Sequence, residues 1–354
     1  MKASRTRALR TPTALSRRQA LGLGAAAVAA AGVPGLAAPE AYGLPRARAR
    51  ASDGGTYSDG STYMAWRGLG GDQRIFWNGV RNDGGWTGPQ PVPGAFTSGG
   101  VALAGPSGGA LHMAWKGVEG DERIFWNRLD GTTWSGPEPV PGALTKVGPA
   151  LAPYAGVLMA WRGLGGDQRV WWNSRFGRWT APQVVPGALT GFGPALAVDH
   201  IGTYGVPRMA WRGADADERI WWNTYRGGDS GTNDWTGPQP VPGALTSAGV
   251  ALAGPPGGGL HMAWKGAGGD ERIWWSRLHA GSTAWTAPQP VPGALSSVGP
   301  ALAVYSGSVY MTWKGAGGDE RIWWSRFPAT TWTPPQPVDG ALTAFRPALA
   351  TIGN

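Results

Sequence analysis

The sequence contains no cysteine and only four histidines among its 354 residues. Without thiols, neither a disulfide framework nor thiolate chemistry is available to the chain. The histidines show no spacing typical of metal ligands. They are His112, His200, His261 and His279. We therefore expect no metal site and no other cofactor.

A concentrated excess of positive charge is also missing from most of the chain, although the formal net charge is +9. Nine of the 31 Lys and Arg residues lie in residues 1–50, together with one of the 22 acidic residues. The remaining 22 basic and 21 acidic residues nearly cancel. Binding to nucleic acid requires a basic surface that contacts phosphates, so the sequence argues against a nucleic-acid partner.

An extended apolar run occurs near the N-terminus, directly after a pair of arginines. The segment LSRRQALGLGAAAVAAAGVPGLAA resembles a twin-arginine export signal, with Arg17 and Arg18 as the pair. The run is rich in Ala and Gly and is interrupted by Pro34, so no stable membrane insertion is expected. We predict a signal peptide over residues 1–38, a flexible leader over residues 39–61, and a secreted, extracellular bacterial protein.

Six copies of one aromatic segment occupy the rest of the chain. The copy at residues 111–129 reads LHMAWKGVEGDERIFWNRL, and its first tryptophan recurs at intervals of 46–53 residues. These tryptophans are Trp66, Trp115, Trp161, Trp211, Trp264 and Trp313. In each copy, two runs rich in β-branched and aromatic residues flank a Gly-rich connection, which predicts a β-hairpin.

Two further segments recur with the hairpin and complete a set of four strands. An Ala-Leu-Ala run lies upstream, and a tryptophan followed by PQPV or a near variant lies downstream. Four antiparallel strands in about 40–50 residues are typical of one propeller blade. The sequence therefore predicts an all-β fold, a six-bladed β-propeller of four-stranded antiparallel blades over residues 62–354. Blade four carries an insert at residues 199–207, where we expect a feature specific to that blade.

The two ends of the repeat region complement each other. The first hairpin, at residues 63–77, has no Ala-Leu-Ala strand before it, whereas the chain ends on such a strand at residues 346–353. We predict that the C-terminal strand completes the first blade, because a closed ring leaves no open sheet array. Strand alternation should direct Met113 and Trp115 to one neighbouring blade and Ala114 to the other.

Polar residues recur at fixed positions in the hairpin. An Asp, then Glu or Gln, then an Arg precede the second strand in every copy. The arginines are Arg74, Arg123, Arg169, Arg219, Arg272 and Arg321. The glutamates are Glu122, Glu218, Glu271 and Glu320, and Gln73 and Gln168 stand at the other two positions. Two residues after the arginine come Phe76, Phe125, Trp171, Trp221, Trp274 and Trp323.

These residue types permit two interpretations. They suit a carbohydrate site, because sugar C–H faces pack on aromatic rings while hydroxyl groups accept from Arg and donate to carboxylates. They also suit a purely structural role, in which tryptophans fill the space between blades and each Asp braces its own turn by pairing with the Arg two residues later. Periodicity alone does not separate these interpretations.

Six closed blades, with Arg, Glu and Trp returning in each, resemble the bacterial and fungal β-propeller lectins, particularly the six-bladed fucose-binding lectin family. The resemblance covers residues 62–352 in architecture and residue types rather than motif by motif. It implies that sugars sit between adjacent blades, held by an Arg, a Glu and aromatic rings. It therefore implies a non-catalytic, multivalent protein whose partners are glycans or glycoconjugates, with the Arg, Glu and Trp residues given above as the candidate ligand-binding set.

Two other classes of function remain open. One is an extracellular protein-interaction or cell-surface scaffold, since propeller faces serve many protein partners, and exposed glutamines such as Gln239 and Gln289 could support cross-linking. The other is a sialidase-like glycoside hydrolase, because LDGTTW at residues 129–134 looks like a fragment of an Asp-box turn. Catalysis needs one asymmetric constellation, whereas these carboxylates repeat evenly, so we expect no enzyme and no catalytic residues.

Overall fold

The structure is a computed structural model. It describes residues 62–80, 85–106, 109–201, 205–227 and 235–352. The predicted signal peptide and leader, residues 1–61, lie outside these ranges. Within the described ranges the ordered elements are β-strands, and no helix there is long and apolar enough to span a membrane.

Six antiparallel sheets, each a blade, form a ring in which the Ala-Leu-Ala strand of every blade lies innermost. Each innermost strand contacts the innermost strands of the two neighbouring blades, so these strands surround the axis. The innermost strands of blades two to six and then of blade one are β4 (Val101–Ala104), β9 (Ala150–Pro153), β14 (Ala195–Asp199), β18 (Ala251–Ala253), β22 (Ala301–Tyr305) and β26 (Ala348–Thr351).

The predicted hairpin supplies the second and third strands of each blade. The second strands are β1 (Thr62–Arg67), β5 (Leu111–Lys116), β10 (Val157–Arg162), β15 (Val206–Arg212), β19 (Leu260–Lys265) and β23 (Ser308–Lys314). The third strands are β2 (Arg74–Gly79), β6 (Arg123–Asp130), β11 (Arg169–Phe176), β16 (Arg219–Thr224), β20 (Arg272–Leu278) and β24 (Arg321–Phe327).

The PQPV segment forms the outermost strand. These strands are β3 (Gln90–Phe96), β8 (Glu138–Leu144), β13 (Gln183–Leu189), β17 (Gln239–Leu245), β21 (Gln289–Leu295) and β25 (Gln336–Leu342). Two-residue strands, β7 (Thr133–Trp134) and β12 (Arg178–Trp179), also pair with the third strands of blades two and three.

The C-terminal strand β26 closes the ring by pairing with β1. Tyr63 lies opposite Ala350, and Ala65 lies opposite Ala348. The prediction of six four-stranded antiparallel blades, the first completed by the last strand, is confirmed.

A hydroxyl group next to the outermost strand links one blade to the following one at several seams. The hydroxyl donates to the backbone carbonyl oxygen of the last residue in the second strand of the next blade, at 2.7–2.8 Å. The donors Thr145, Thr246, Ser296 and Thr343 reach Arg162, Lys265, Lys314 and Arg67, respectively. The last of these bonds joins blade six to blade one and therefore reinforces the closure.

The apolar core lies in the seams between blades. Met113 and Trp115 of blade two pack in one cluster with Trp77 of blade one. Ala114 packs in a different cluster with Trp161 of blade three. The predicted alternation of the strand faces is therefore confirmed. The first tryptophan of every repeat is at most 2% exposed, which confirms the structural interpretation for that position.

A second tryptophan contact recurs in all six seams. The last tryptophan of each RIFW, RVWW or RIWW run meets, edge to face, the tryptophan that precedes an outermost strand in the adjoining blade. The ring centroids are 5.6–6.5 Å apart and the interplanar angles are 76–88°. Such pairs contribute about 0.5–1.5 kcal/mol beyond the burial of their area, so they reinforce each seam.

The outermost strands leave sheet edges exposed, and their sequence protects these edges. In β3, Pro91 and Pro93 cannot donate a backbone hydrogen bond to an approaching strand. A bulge in the same strand places Gly94 at a φ of 68°, in the left-handed region that favours glycine. A Cβ atom on Gly94 would lie 3.5 Å from Cδ of Pro137 in the next blade.

Asp199, the first residue of the insert in blade four, forms a buried ion pair with Arg208, which directly follows the insert, and this pair is a feature of that blade. Asp199 is fully buried, and its Oδ2 accepts a hydrogen bond from Nη2 of Arg208 at 3.1 Å. Its Oδ1 accepts a bond of 2.6 Å from the backbone N–H of Gly259 in blade five. Arg208 also donates to the hydroxyl of Thr224. The pair therefore joins two blades.

Replacing Arg208 by Met should lower the free energy of unfolding by about 3–5 kcal/mol, because Asp199 would remain buried without its counter-charge. The exposed pair Arg128–Asp130, at 2.9 Å, provides a control. Arg128→Met should cost less than about 1 kcal/mol. Urea unfolding followed by tryptophan fluorescence measures both changes, and equal costs would contradict the role assigned to the buried pair.

Candidate functional site

The predicted site residues lie at one end of the ring, at the turns between the second and third strands. We call this end the turn face. In blade two, Gly117 donates its backbone N–H to the carbonyl oxygen of Arg123 at 2.9 Å, and Asp121 donates to that of Val118 at 2.9 Å. A Cβ atom on Gly117 would lie 2.8 Å from Cγ of Asp121. The turn therefore requires glycine where the Asp side chain crosses it.

The carboxylate of each Asp forms a bidentate contact with the guanidinium of the Arg two residues later. In blade five, Oδ1 of Asp270 accepts hydrogen bonds from the backbone N–H and Nε of Arg272, at 3.0 and 2.9 Å. Oδ2 accepts from Nη2 of Arg272 at 3.0 Å and from the indole Nε1 of Trp274 at 2.9 Å. All four acceptor positions of the carboxylate are filled, so the interpretation of the Asp as a brace is confirmed.

These bonds stabilise the ionised carboxylate. The hydrogen bond from Arg169 is the main cause that lowers the pKa of Asp167 to about 2. Burial opposes this shift by less than the Arg169 bond contributes, and the bond from the indole of Trp171 lowers the pKa further. The pKa values of Asp217 and Asp319 are likewise lowered to about 2. The Asp therefore remains charged at any physiological pH and keeps its Arg in place.

The braced Arg keeps a free donor group. In each blade the guanidinium lies over the aromatic ring two residues later, with Cζ 4.6–5.1 Å from the ring centroid. The Arg272 side chain is 56% exposed. Its Nη1 has no hydrogen-bond partner among the described residues, whereas Nε and Nη2 bind Asp270. The Arg thus presents a fixed N–H donor to solvent.

The Glu between Asp and Arg contacts the following blade at two seams. Oε1 of Glu218 accepts a hydrogen bond from the backbone N–H of Gly268 at 3.3 Å. Oε1 of Glu271 accepts one from Gly317 at 3.3 Å. Since Gly268 and Gly317 belong to the turns that carry the next Asp, the Glu of one blade contacts the turn that carries the Asp-Arg-Trp group of its neighbour.

The other seams differ. Glu122 and Glu320 pair with lysines of their own blades, Lys116 at 3.3 Å and Lys314 at 3.7 Å. Gln168 crosses its seam, but as a donor to Asp215. At two seams, therefore, a Glu of one blade contacts the turn that leads to the Arg and Trp of the next blade. The residues concerned are Glu218 with Arg272 and Trp274, and Glu271 with Arg321 and Trp323.

A pocket that the sequence did not predict lies at the opposite end of the seam between blades five and six. Its volume is about 500 Å³, and His261, Arg277, His279 and Phe327 are among its lining residues. The imidazole of His261 stacks on Trp275 with ring centroids 6.0 Å apart. Burial lowers the pKa of His261 to about 4, so this ring is neutral at pH 7. Arg277 has no side-chain partner among the described residues.

The sequence contained only a weak signal for this pocket. That signal is a repeated histidine, since His112 of blade two occupies the position equivalent to His261. In the structure His261 is 4% exposed on β19, and connections from two blades form the pocket around it. Within the described ranges no three His, Asp or Glu side chains gather closely enough to hold a metal ion.

Comparison with known structures finds the same fold in other proteins, a fungal lectin among them. AofleA of Arthrobotrys oligospora aligns with a TM-score of 0.53 at 11% identity, over 84% of this chain and 90% of that one. Aleuria aurantia lectin in complex with Fucα1-6GlcNAc aligns with a TM-score of 0.54 at 14% identity, over 72% and 84%. A further structure of that lectin, described as a six-bladed β-propeller with a novel fucose recognition mode, gives 0.50 at 15% identity, over 80% and 96%.

No protein-family profile matches this chain, and no curated protein sequence matches it. At identities of 11–15% the structural likeness shows a shared fold. The chain is therefore similar in architecture to six-bladed lectins, as the repeat pattern predicted.

The braced carboxylates should make folding sensitive to acid. Because the pKa of Asp167 falls from 3.8 to about 2 on folding, its contribution to stability is fully present above about pH 4 and disappears as the pH falls toward 2. The free energy of unfolding of Asp167→Asn should therefore be lower than that of the parent by a constant amount near neutral pH. This gap in stability should narrow below pH 4.

Urea midpoints between pH 7 and pH 2 measure this gap. Asp339→Asn, a change at an exposed position of β25, is the control and should show a smaller gap at neutral pH. A gap for Asp167→Asn that stays the same down to pH 2 would contradict the assigned role of its carboxylate.

Proposed function

We propose that this protein is a secreted, non-catalytic, multivalent carbohydrate-binding propeller whose sites lie in the seams of the turn face. The observation that carries the proposal is the hydrogen bond from Gly268 to Glu218 across the seam between blades four and five, since Gly268 belongs to the turn that leads to Arg272 and Trp274. Aleuria aurantia lectin, a similar fungal propeller, is described as recognising fucose, so a fucose-like sugar is the first ligand to test.

The chemistry of this group suits a sugar. The free Nη1 of Arg272 can donate to a hydroxyl oxygen, while the second oxygen of the Glu218 carboxylate can accept from a hydroxyl group. Trp274 is half-buried and offers its accessible part to apolar C–H groups. Because Asp270 already fixes the Arg, little side-chain freedom is lost when a ligand binds.

The repeated sites should raise the overall affinity of the ring for a surface that carries many sugars. A shallow site of this kind binds a single sugar weakly, whereas several sites on one rigid face can engage several sugars of one surface together. The most complete sites in this proposal are at Glu218 and Glu271, where a Glu reaches the turn of the next blade. The equivalent arginines of the remaining blades, Arg74, Arg123, Arg169 and Arg219, serve as weaker sites.

An extracellular location agrees with this use of repeated sites. The twin-arginine-like segment in residues 1–38 supports export, and residues 39–61 then form a leader before the propeller. Glycans on cell surfaces would be accessible to the exported ring.

A protein-binding scaffold is the second candidate function, and a specific feature favours it. The last residue of five outermost strands is an exposed apolar side chain beside the turn-face arginines. These residues are Phe96, Leu144, Leu189, Leu245 and Leu295, with exposures of 42–48%. A circle of apolar and basic groups could bind a protein surface instead of sugar.

A glycan array probed with the full chain separates the two functions. Arg272→Ala combined with Arg321→Ala should reduce retention on the glycans at least tenfold, because both complete seams lose their donor. Arg128→Ala combined with Arg178→Ala removes the same charge outside the turn face and should leave retention unchanged.

Two further results would redirect the proposal. Loss of retention in Arg277→Ala, with normal binding by the Arg272 and Arg321 double variant, would move the sugar site to the pocket between blades five and six. No retention of the parent at high protein density would reject carbohydrate binding. Capture of a specific protein that free sugars do not displace would then support the scaffold.

A further inference from the structure

The six innermost strands surround an axial channel that opens on the turn face. Its mouth is a recess of about 440 Å³, lined mostly by Gly, Ala, Pro, Val and Leu together with Phe192 and Phe345. The polar side chains in this lining are Ser247, Ser297 and Arg346, and no acidic residue is among the lining residues. The recess is therefore apolar, with one cationic group.

The Arg346 position breaks the repeat. The residue two places before the Ala-Leu-Ala run is glycine in five blades and arginine in the sixth copy. The glycines are Gly100, Gly148, Gly193, Gly249 and Gly299. Close packing explains several of them, since a Cβ atom on Gly148 would lie 2.8 Å from the carbonyl oxygen of Gly100 and one on Gly299 would lie 2.3 Å from that of Gly249. Arg346 is the exception within this ring of small residues.

The Arg346 side chain extends across the mouth of the channel. Its Nη1 lies 3.5 Å from the position that a Cβ atom on Gly249 would occupy, although Gly249 precedes β18 of blade five and Arg346 precedes β26 of blade one. The guanidinium makes no hydrogen bond or ion pair with any residue that the structure describes. Burial lowers its pKa to about 10, so it remains a cation at neutral pH without a counter-ion from the protein.

The two serine hydroxyls are not free to bind a ligand in the channel mouth, because both already make hydrogen bonds within the protein. Oγ of Ser247 donates to the carbonyl oxygen of Gly266 at 3.0 Å and accepts from Nζ of Lys265 at 2.8 Å. Ser297 makes the same two contacts in the following blade. Arg346 is thus the lining side chain whose charge the surrounding described residues leave unmatched.

We propose that the channel mouth binds one small organic anion, a carboxylate with an apolar body, whose carboxylate pairs with Arg346. An arginine binds a carboxylate through two parallel N–H···O bonds, and a half-buried guanidinium gains most from such a partner. The Ala, Leu and Phe walls contact the apolar body and disfavour strongly hydrated inorganic anions. A volume of about 440 Å³ is within the range of small-molecule sites and accommodates a body of two fused rings.

Calorimetric titration of the full chain with 1-naphthoate tests the proposal, with the uncharged 1-naphthamide as the matched ligand. We expect one naphthoate per chain and at least tenfold weaker binding of the amide. Arg346→Met should weaken naphthoate binding at least tenfold and leave the amide unchanged. Arg178→Met, which removes an exposed charge on β12, should bind naphthoate like the parent.

A second variant guards against a folding defect in Arg346→Met. Arg346→Gly installs the residue that five repeats already carry, so it should keep the near-ultraviolet circular dichroism of the parent while it loses naphthoate binding. Equal affinity of the parent for naphthoate and naphthamide would overturn the proposal. So would naphthoate binding that survives both Arg346 variants, or the absence of any naphthoate binding at millimolar concentration. Each of these outcomes is independent of glycan binding at the seams.

Discussion

The pairing of β26 with β1 is the contact on which the rest of the ring depends. Each blade buries its two faces only against its neighbours, so a gap at one seam exposes two apolar surfaces. At the seam between blades six and one, Met64 and Trp66 pack with Ile322 and Val338. These residues come from opposite ends of the repeat region, and β26, which pairs with β1 and contacts β22 of blade six, holds the two blades together.

Much of this architecture could be predicted because it follows from local patterns. A regular interval between tryptophans and a two-residue alternation within strands depend only on nearby residues, and they predicted the blades and the closure. The site could not be predicted to the same depth. Glu122 and Glu218 occupy equivalent positions, yet one pairs with Lys116 of its own blade and the other contacts the next blade. That choice depends on packing between blades, as does the pocket around His261.

The structural and functional interpretations of the turn-face residues turn out to be compatible. Asp270 has no free acceptor for a ligand, because Arg272 and Trp274 occupy both its oxygens. The same bonds hold the Arg in one orientation with a donor directed to solvent. A residue that only braces its turn can therefore prepare its neighbour for binding, since a fixed side chain loses less conformational freedom than a mobile one.

The place of β26 in the chain order also affects biosynthesis. Blade one remains three-stranded until the last strand of the repeat region, β26, has left the ribosome, so the propeller cannot close before that strand is available. Until then, the growing chain holds a lengthening array of blades with an unpaired edge at β1, a state in which polypeptides are prone to aggregate. Chaperones that bind the nascent chain would shield this unpaired edge until β26 pairs with it.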